Sequence, residues 1–157
     1  ELLEAAKRLI VKAEERDAAI PIPTDVVVAP YAHSDAMIAI KPVAEVDEDD
    51  MILDVGPETR SRYAGLLADA GTIFWNGPVG MFEIDQFAGG TRALAEAVAA
   101  SGAYSIAGGG DTLAALRQFV MTDRMDYICT GGGAFLEFVE HGHLPAVDIL
   151  EQRAHEK

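Results

Sequence analysis

The amino-acid sequence predicts an α/β fold, a Rossmann-like parallel sheet in a three-layer α/β/α arrangement. Two observations predict it. The first is that four short apolar runs are each followed by a glycine-containing turn. The second is that apolar residues at helical spacing come after each of these turns. Strand–turn–helix units in succession produce parallel strands joined by right-handed crossovers. All four turns should then lie at the carboxyl ends of the strands, the edge where open α/β sheets bind their ligands.

The first fifty residues are less regular than the rest. Residues 1–16 place their apolar side chains on one stripe and predict an amphipathic helix, which the prolines in residues 21–23 cannot continue. The β-branched run at residues 26–29 predicts a strand that is covered on both faces. Residues 37–41 suggest a short strand. The acidic stretch 45–50 is expected to be a solvated loop, because it shows no fixed spacing of metal ligands.

From Met51 onward the strand–turn–helix units follow one another. The predicted strands are residues 51–55, 72–75, 104–107 and 127–129. The predicted helices are residues 57–70, 91–100, the segment from the glycine turn to about residue 120, and 134–141. After Gly142 the tail is apolar enough to dock on another surface.

Composition limits the classes of partner. The 157 residues carry 26 acidic and 12 basic side chains, a formal charge of −14, which repels nucleic acid and anionic membranes. No apolar run approaches the ~20 residues that a membrane helix needs. A soluble cytoplasmic protein is the expectation. Cys129, the single cysteine, lies in an apolar run and is expected to be a buried thiol.

The turn at residues 108–110 is Gly-Gly-Gly, followed by Asp111 and Thr112. Such a turn leaves the first N–H groups of a helix open to a phosphate, and Thr112 could donate its hydroxyl to the same group. A carboxylate beside a phosphate site makes sense if Mg²⁺ lies between them. The alternative is a plain β–α turn with Asp111 as the N-cap. The dinucleotide pattern fails because its third glycine falls on Leu113, and the P-loop pattern fails because no lysine follows.

Four motifs together resemble the phosphoglycerate kinase family. Residues 74–83 (Phe-Trp-Asn-Gly-Pro-Val-Gly-Met-Phe-Glu) closely resemble one family signature, and residues 108–112, 130–134 and 53–57 match three others in order and spacing. The resemblance covers essentially the whole chain. It implies that residues 1–157 are most of the carboxyl-terminal, nucleotide-binding domain, and thus a partial domain. It also implies that the N-terminal substrate domain and the lysine aimed at the transferred phosphate are absent.

The resemblance implies roles for the base and ribose side of a nucleotide. Leu53, Pro78 and Met81 would line the adenine slot, although ordinary packing at a strand end explains Leu53 equally well. Glu83 would accept hydrogen bonds from the ribose hydroxyls, and outside its motif it would be a solvated acid. Asn76 would donate its amide to the phosphates, and Asn before Gly is also good turn chemistry.

The glycine turns would hold the phosphates. By the same resemblance, Gly109, Gly110 and Thr112 bind phosphate and Asp111 binds Mg²⁺. Gly110, Gly132 and Gly133 would present amides to the moving phosphoryl group.

The implied activity is reversible, Mg²⁺-dependent phosphoryl transfer between 1,3-bisphosphoglycerate and ADP, giving 3-phosphoglycerate and ATP, by a monomeric full-length enzyme of glycolysis. The chain by itself is expected to be inactive, because its turns contain no Lys or Arg to balance the transferred charge. A noncatalytic nucleotide-binding module is the alternative. A Rossmann dehydrogenase is disfavoured by the failed third glycine.

Overall fold

The computed structural model describes residues 2–155, and the first residue of the predicted N-terminal helix lies outside them. The helices are α1 (Leu2–Glu14), α2 (Pro57–Ala68), α3 (Gly89–Ala100), α4 (Gly110–Gln118), α5 (Gly133–His141) and α6 (Pro145–His155). The strands are β1 (Asp25–Ala29), β2 (Ala39–Pro42), β3 (Met51–Val55), β4 (Thr72–Asn76), β5 (Tyr104–Gly108) and β6 (Tyr127–Cys129). Three short 3-10 helices cover Val43–Glu45, Asp85–Phe87 and Thr122–Arg124.

Three of the four predicted units form a parallel sheet with the strand order β4-β5-β6. The register pairs Asn76 with Gly108 and Gly108 with Cys129. The three strands therefore end side by side, and the turns that follow them start from one edge. This parallel sheet with its helices confirms the α/β class that the sequence predicts.

Strand β3 does not belong to that sheet. It pairs antiparallel with β1, which also pairs antiparallel with β2, so the second sheet has the order β2-β1-β3. The expectation of four parallel strands is therefore wrong for β3. An apolar run followed by a turn and a helix defines a strand, but it does not determine which neighbour that strand finds. All five residues of β1 are buried, as expected for the β-branched run.

The two faces of the parallel sheet are covered unequally. One face packs Ile73 and Trp75 into the main core with Leu116 from α4. On the opposite face Tyr104 and Tyr127 are half exposed, and the Phe135 ring of α5 contacts Phe74 with ring centroids 4.8 Å apart. Within residues 2–155 the helical layer on this second face is thus incomplete, as in a partial domain.

The terminal helices contribute little to this core. Helix α1 has the predicted amphipathic pattern, yet none of its residues is buried. The tail after Gly142 forms α6, which the sequence analysis did not predict as a helix and which also buries none of its residues. Cys129 is buried, as predicted. No helix between residues 2 and 155 combines the length and apolarity that crossing a membrane requires.

Candidate functional site

Helix α4 starts at the end of β5 on a backbone that only glycine adopts easily. Gly109 has φ +89° and is the N-cap, and its carbonyl accepts the first helical hydrogen bond from Leu113 at 3.1 Å. A Cβ on Gly109 would lie 2.5 Å from Asn76 Oδ1. Asp111 is therefore the second residue inside the helix, and the alternative in which it is the N-cap is wrong.

Helix α5 starts in the same manner at the end of β6. Its N-cap is Gly132 with φ +55°, and neither Gly132 nor Gly133 has a neighbouring atom within 4 Å of where a Cβ would stand. No side-chain cap closes the first turn of α4 or of α5. Because β5 and β6 are adjacent, two helix N-termini with free N–H groups lie at one edge of the sheet.

Asp111 is exposed at the α4 terminus. Within residues 2–155 no hydrogen bond or ion pair engages its carboxylate, and no cluster of three His, Cys, Asp or Glu side chains could hold a metal by itself. Mg²⁺ commonly uses one or two carboxylates together with substrate phosphates and water. A lone, exposed carboxylate beside an open helix N-terminus fits that pattern of coordination.

Thr112 has a different environment. Its side chain is fully buried, and its Oγ1 accepts a hydrogen bond of 2.6 Å from the Gly77 N–H. Thr112 thus ties the turn after β4 to the first turn of α4. The phosphate contact predicted for its hydroxyl stays a prediction, and it requires the hydroxyl to become accessible.

The turn after β4 is held from its own strand as well. Trp75 is 7% exposed and packs in the main core, while its indole Nε1–H donates to the Gly77 carbonyl at 2.8 Å. Asn76, the last residue of β4, is exposed beside Gly109. The predicted phosphate ligands Asn76, Gly109 and Gly110 therefore lie together at the sheet edge.

The three residues predicted to line an adenine slot also come together. Leu53, Pro78 and Met81 line one surface pocket of about 300 Å³, and the Met81 N–H donates to the Leu53 carbonyl at 2.9 Å. This hydrogen bond joins β3 to the segment that follows β4. The pocket is therefore built between the two sheets.

Glu83 lies outside that pocket. It is exposed and lines a neighbouring concavity of about 520 Å³ with His33, Ser34 and Gln86. The Gln86 side-chain amide donates to the His33 carbonyl at 2.8 Å and thereby holds the loop after β1 against this segment. Only Phe82 separates Glu83 from Met81, so the two concavities are neighbours along the chain.

Two carboxylates that the sequence analysis did not single out occupy the N-termini of α2 and α3. Asp25 accepts hydrogen bonds from the N–H groups of Glu58 and Thr59, at 3.0 and 2.7 Å, in the first turn of α2. Asp54 accepts one of 2.7 Å from the Gly90 N–H in the first turn of α3. A signal for Asp54 was present, because a carboxylate within an apolar strand is seldom buried unless it is paired.

The pKa values of the two carboxylates move in opposite directions. Burial favours the neutral form of Asp25, but the hydrogen bonds from Thr59 and Glu58 outweigh it and hold the pKa of Asp25 below its ordinary value. For Asp54, burial dominates and raises the pKa, although Gly90, Val55 and Arg60 all oppose the rise. Deeper burial of Asp54 explains the difference.

The cations nearest to the turns in sequence are already engaged. Lys41 Nζ lies 2.6 Å from Oδ2 of both Asp47 and Asp50. Arg60 pairs with Asp54 at 2.9 Å, and Arg62 donates to a backbone carbonyl. Lys41 and Arg60 are thus neutralised by carboxylates, and the exposed Arg62 is held by a backbone carbonyl.

Comparison with known proteins agrees with the geometry. The family model described as phosphoglycerate kinase matches residues 1–142. A curated phosphoglycerate kinase of Coxiella burnetii (strain RSA 493 / Nine Mile phase I) is 55% identical over 156 residues, which are 99% of this chain and 40% of that protein. The chain thus spans less than half the length of this relative.

Solved structures give the same result. The structure of phosphoglycerate kinase from Coxiella burnetii has a TM-score of 0.92 at 55% identity, covering 99% of this chain and 39% of that one. The crystal structure of phosphoglycerate kinase from Pyrococcus horikoshii OT3 has a TM-score of 0.78 at 31% identity, covering 96% and 37%. Together with the family match over most of its length, these similarities show that the chain belongs to the phosphoglycerate kinase family.

Proposed function

We propose that this chain provides the nucleotide-binding half of a phosphoglycerate kinase, and that the whole protein reversibly transfers a phosphoryl group from 1,3-bisphosphoglycerate to ADP. The products are 3-phosphoglycerate and ATP. The observation that carries the proposal is the pair of uncapped helix N-termini, α4 and α5, at one sheet edge. Helix N-termini with free N–H groups favour phosphate.

Each part of the nucleotide has a place at this edge. The adenine enters the pocket of Leu53, Pro78 and Met81. The exposed Glu83 accepts hydrogen bonds from the ribose hydroxyls. The phosphates then reach the first turn of α4.

At α4 the backbone N–H of Gly110 and the side-chain amide of Asn76 donate to the phosphate oxygens, and the N-cap Gly109 has no side chain to keep them away. Asp111 holds Mg²⁺, which when bound neutralises charge on the nucleotide phosphates. The hydroxyl of Thr112 joins these donors where it becomes accessible.

The transfer itself needs no side-chain nucleophile. The attacking and leaving oxygens belong to the two substrates, so the protein contributes positioning and charge stabilisation. The amides of Gly110, Gly132 and Gly133 donate to the equatorial oxygens of the transferred phosphoryl group. Gly132 and Gly133 are the N-cap and the first residue of α5, so they complete a site whose first half is on α4.

A second candidate is a noncatalytic nucleotide-binding module. The engagement of Lys41, Arg60 and Arg62 by other groups favours it for this chain alone, since a cation is needed beside Mg²⁺. We propose that residues 1–157 bind Mg-ADP without turnover, and that phosphoglycerate binds to the N-terminal substrate domain of a monomeric full-length enzyme. The charge of −14 supports a cytoplasmic protein without affinity for nucleic acid or membranes.

Calorimetric titration and a coupled ATP assay separate the candidates. The chain should bind Mg-ADP more tightly than ADP in EDTA and should show no turnover, while full-length phosphoglycerate kinase from Coxiella burnetii turns over in the same assay. No detectable Mg-ADP binding by the folded chain would contradict the nucleotide site. Turnover comparable to the full-length control would contradict the assignment of the substrate site to another domain.

A further inference from the structure

We infer that the buried Asp54 carboxylate, together with Arg60, is a positioning group that sets the shape of the base pocket. Asp54 directly follows Leu53 in β3 and lines the same pocket from behind. The inference rests on the proposed function, because it assigns a role in binding the nucleotide base. The proposed function gives no role to Asp54 or Arg60, although Asp54 lies within the motif at residues 53–57 and binds the first turn of α3.

Each oxygen of Asp54 has a defined partner. Oδ1 accepts from the Val55 N–H at 2.8 Å, and Oδ2 accepts from the Gly90 N–H at 2.7 Å and from Arg60 Nη2 at 2.9 Å. The side chain is 1% exposed. One carboxylate therefore connects β3, the first turn of α3 and α2.

The wall of the pocket opposite β3, formed by residues 78–81, depends on the same carboxylate. A Cβ on Gly80 would overlap Asp54 Oδ1 and would lie 2.6 Å from the Phe87 carbonyl oxygen. Gly80 lies between Val79 and Met81, both of which line the pocket. The backbone of this wall thus rests directly on the Asp54 side chain, and its position follows that of the carboxylate.

The start of α3 fixes the wall from its other side. The Thr91 Oγ1 accepts hydrogen bonds from the N–H groups of Val79 and Gly80, both at 3.3 Å. Since Asp54 holds the neighbouring Gly90 N–H, a shift of the carboxylate would move α3 and the wall together. A displacement of about 1 Å at a binding site is enough to change function strongly.

Arg60 holds Asp54 in place and favours its ionised form. Its Nε donates to the Val55 carbonyl at 3.0 Å while Nη2 binds Asp54, so the guanidinium is fixed at two points. Burial raises the pKa of Asp54, and Arg60 opposes that rise. Removing one partner of such a buried pair leaves an uncompensated charge, which costs far more than the pair contributes.

Asp54→Asn tests the inference, with Asp25→Asn as the matched control. Either orientation of the introduced amide leaves one of its N–H groups facing another donor, so Gly90 and Arg60 lose their acceptor or Val55 loses its own. Asp25 is likewise a buried carboxylate at a helix N-terminus, but it does not line the pocket. Both variants should lose stability, and only Asp54→Asn should disturb the base.

The readout is the affinity for ADP compared with that for pyrophosphate, measured well below the melting temperature of each variant. Pyrophosphate lacks the base and reports only on the α4 and α5 termini. We expect Asp54→Asn to raise the Kd of ADP about tenfold, as outer partners of ligand-binding groups commonly do, while the Kd of pyrophosphate changes less than about twofold. Asp25→Asn should leave both constants nearly unchanged.

Equal weakening of ADP and pyrophosphate binding, or the same ADP loss in Asp25→Asn, would show a structural role only and would overturn the inference. If Asp54→Asn does not fold, Arg60→Lys replaces it. A lysine keeps the charge but lacks the planar fork that holds Asp54 and the Val55 carbonyl at fixed positions, so ADP binding should weaken in the same selective way. Unchanged ADP affinity in Arg60→Lys would also overturn the inference.

A nucleotide-free measurement keeps the inference separate from the proposed function. Amide hydrogen exchange at Met81, whose N–H is bonded to the Leu53 carbonyl, should accelerate in Asp54→Asn and not in Asp25→Asn. Failure of the wild-type chain to bind ADP would contradict the proposed function alone. Unchanged exchange at Met81 would contradict the positioning role, whatever the chain binds.

Discussion

The N-termini of α2 and α3 differ from those of α4 and α5 in a way that decides where a ligand can bind. Asp25 fills the first and Asp54 the second, each through hydrogen bonds to backbone N–H groups. Within residues 2–155 no side chain caps the N–H groups of α4 or α5, and both helices begin at glycines with positive φ. A helix N-terminus is therefore available to phosphate only where no carboxylate of the fold already accepts hydrogen bonds from its N–H groups.

This difference changes the meaning of the four glycine turns. In the sequence they are equivalent signals, and all four would be counted as candidate anion sites. In the structure the helices that come after the first two turns, α2 and α3, begin with N–H groups already bound by carboxylates 33 to 36 residues away in sequence. The closed termini stabilise the fold, and the open ones leave their dipoles and N–H groups for a ligand.

The largest expected effect is on an open terminus. Gly110→Val should raise the Kd of Mg-ADP by about 100-fold, roughly 2.7 kcal/mol, because a branched side chain would cover the free N–H groups of α4. Nothing lies within 4 Å of a Cβ at Gly110, so the variant should fold normally. Calorimetric titration provides the measurement.

Gly65→Val is the control for this substitution, since Gly65 is also exposed and unobstructed but lies within α2. It should bind Mg-ADP as the wild type does. Unaltered affinity in a folded Gly110→Val protein would remove the main distinction between open and closed termini.

A substitution at a closed terminus, whose N–H groups are bound by a carboxylate, should change the stability of the fold and leave ligand binding unchanged. Asp25→Asn leaves an N–H group facing the donors of Glu58 or Thr59, and we expect a loss of about 2 kcal/mol in the free energy of unfolding. For a chain of this size the melting temperature should fall by roughly 4–8 °C. Thermal denaturation followed by circular dichroism measures the melting temperature. A value for Asp25→Asn within about 1–2 °C of wild type would show that the cap contributes little.

Asp111, the carboxylate at the open N-terminus of α4, should affect ligand binding more than the stability of the fold. Asp111→Asn should cost less than about 1 kcal/mol of stability, the usual strength of a charge near a helix dipole. Its affinity for Mg-ADP should fall about tenfold, because an amide is a poorer magnesium ligand than a carboxylate. ADP in EDTA serves as the control, and equal losses with and without Mg²⁺ would refute the metal role.

The smallest effect is a pH dependence of the closed termini. The folded-state pKa of Asp25 lies below its ordinary value of 3.8, so the stability from its ionised form is complete above that value and is lost as pH falls through the folded pKa. The gap in unfolding free energy between wild type and Asp25→Asn should therefore narrow below about pH 4. Urea titrations from pH 3 to 7 would show it.

For Asp54→Asn, the gap in unfolding free energy from wild type should change with pH in the opposite direction. Its pKa is raised in the folded state, so its contribution to stability falls as pH rises through the range above 3.8. Comparing Asp54→Asn with wild type over the same pH range checks this sign. A gap that follows the same trend as the Asp25 gap would contradict the different burial of the two carboxylates.

Much of the local structure could be predicted from the sequence. Strands β3 and β6 have the predicted bounds, and helices α4 and α5 start at the glycine turns after which the sequence predicted them. Leu53, Pro78 and Met81 were predicted as one group from motif resemblance and line one pocket. These features depend on residues within or next to each motif.

The features that the sequence did not predict depend on distant pairing. The antiparallel partner of β3 is β1, which is 27 residues earlier in the chain by the Val27–Asp54 register, and no local pattern specifies that choice. Asp25 and Asp54 act on helices that begin far away in the sequence. Thr112 was predicted as a phosphate ligand from its neighbours, whereas its buried hydroxyl bonds to a turn 35 residues away.

The hydrogen bond from the Trp75 indole to the Gly77 carbonyl gives the molecule a built-in optical probe. Trp75 is the only tryptophan in the sequence, so all indole emission comes from the end of β4, next to Asn76 and the turn that contains Pro78. An event that moves this turn changes the hydrogen bond and the polarity around the ring, and with them the wavelength and intensity of the fluorescence. Ligand titrations of every variant above can therefore be followed without a label.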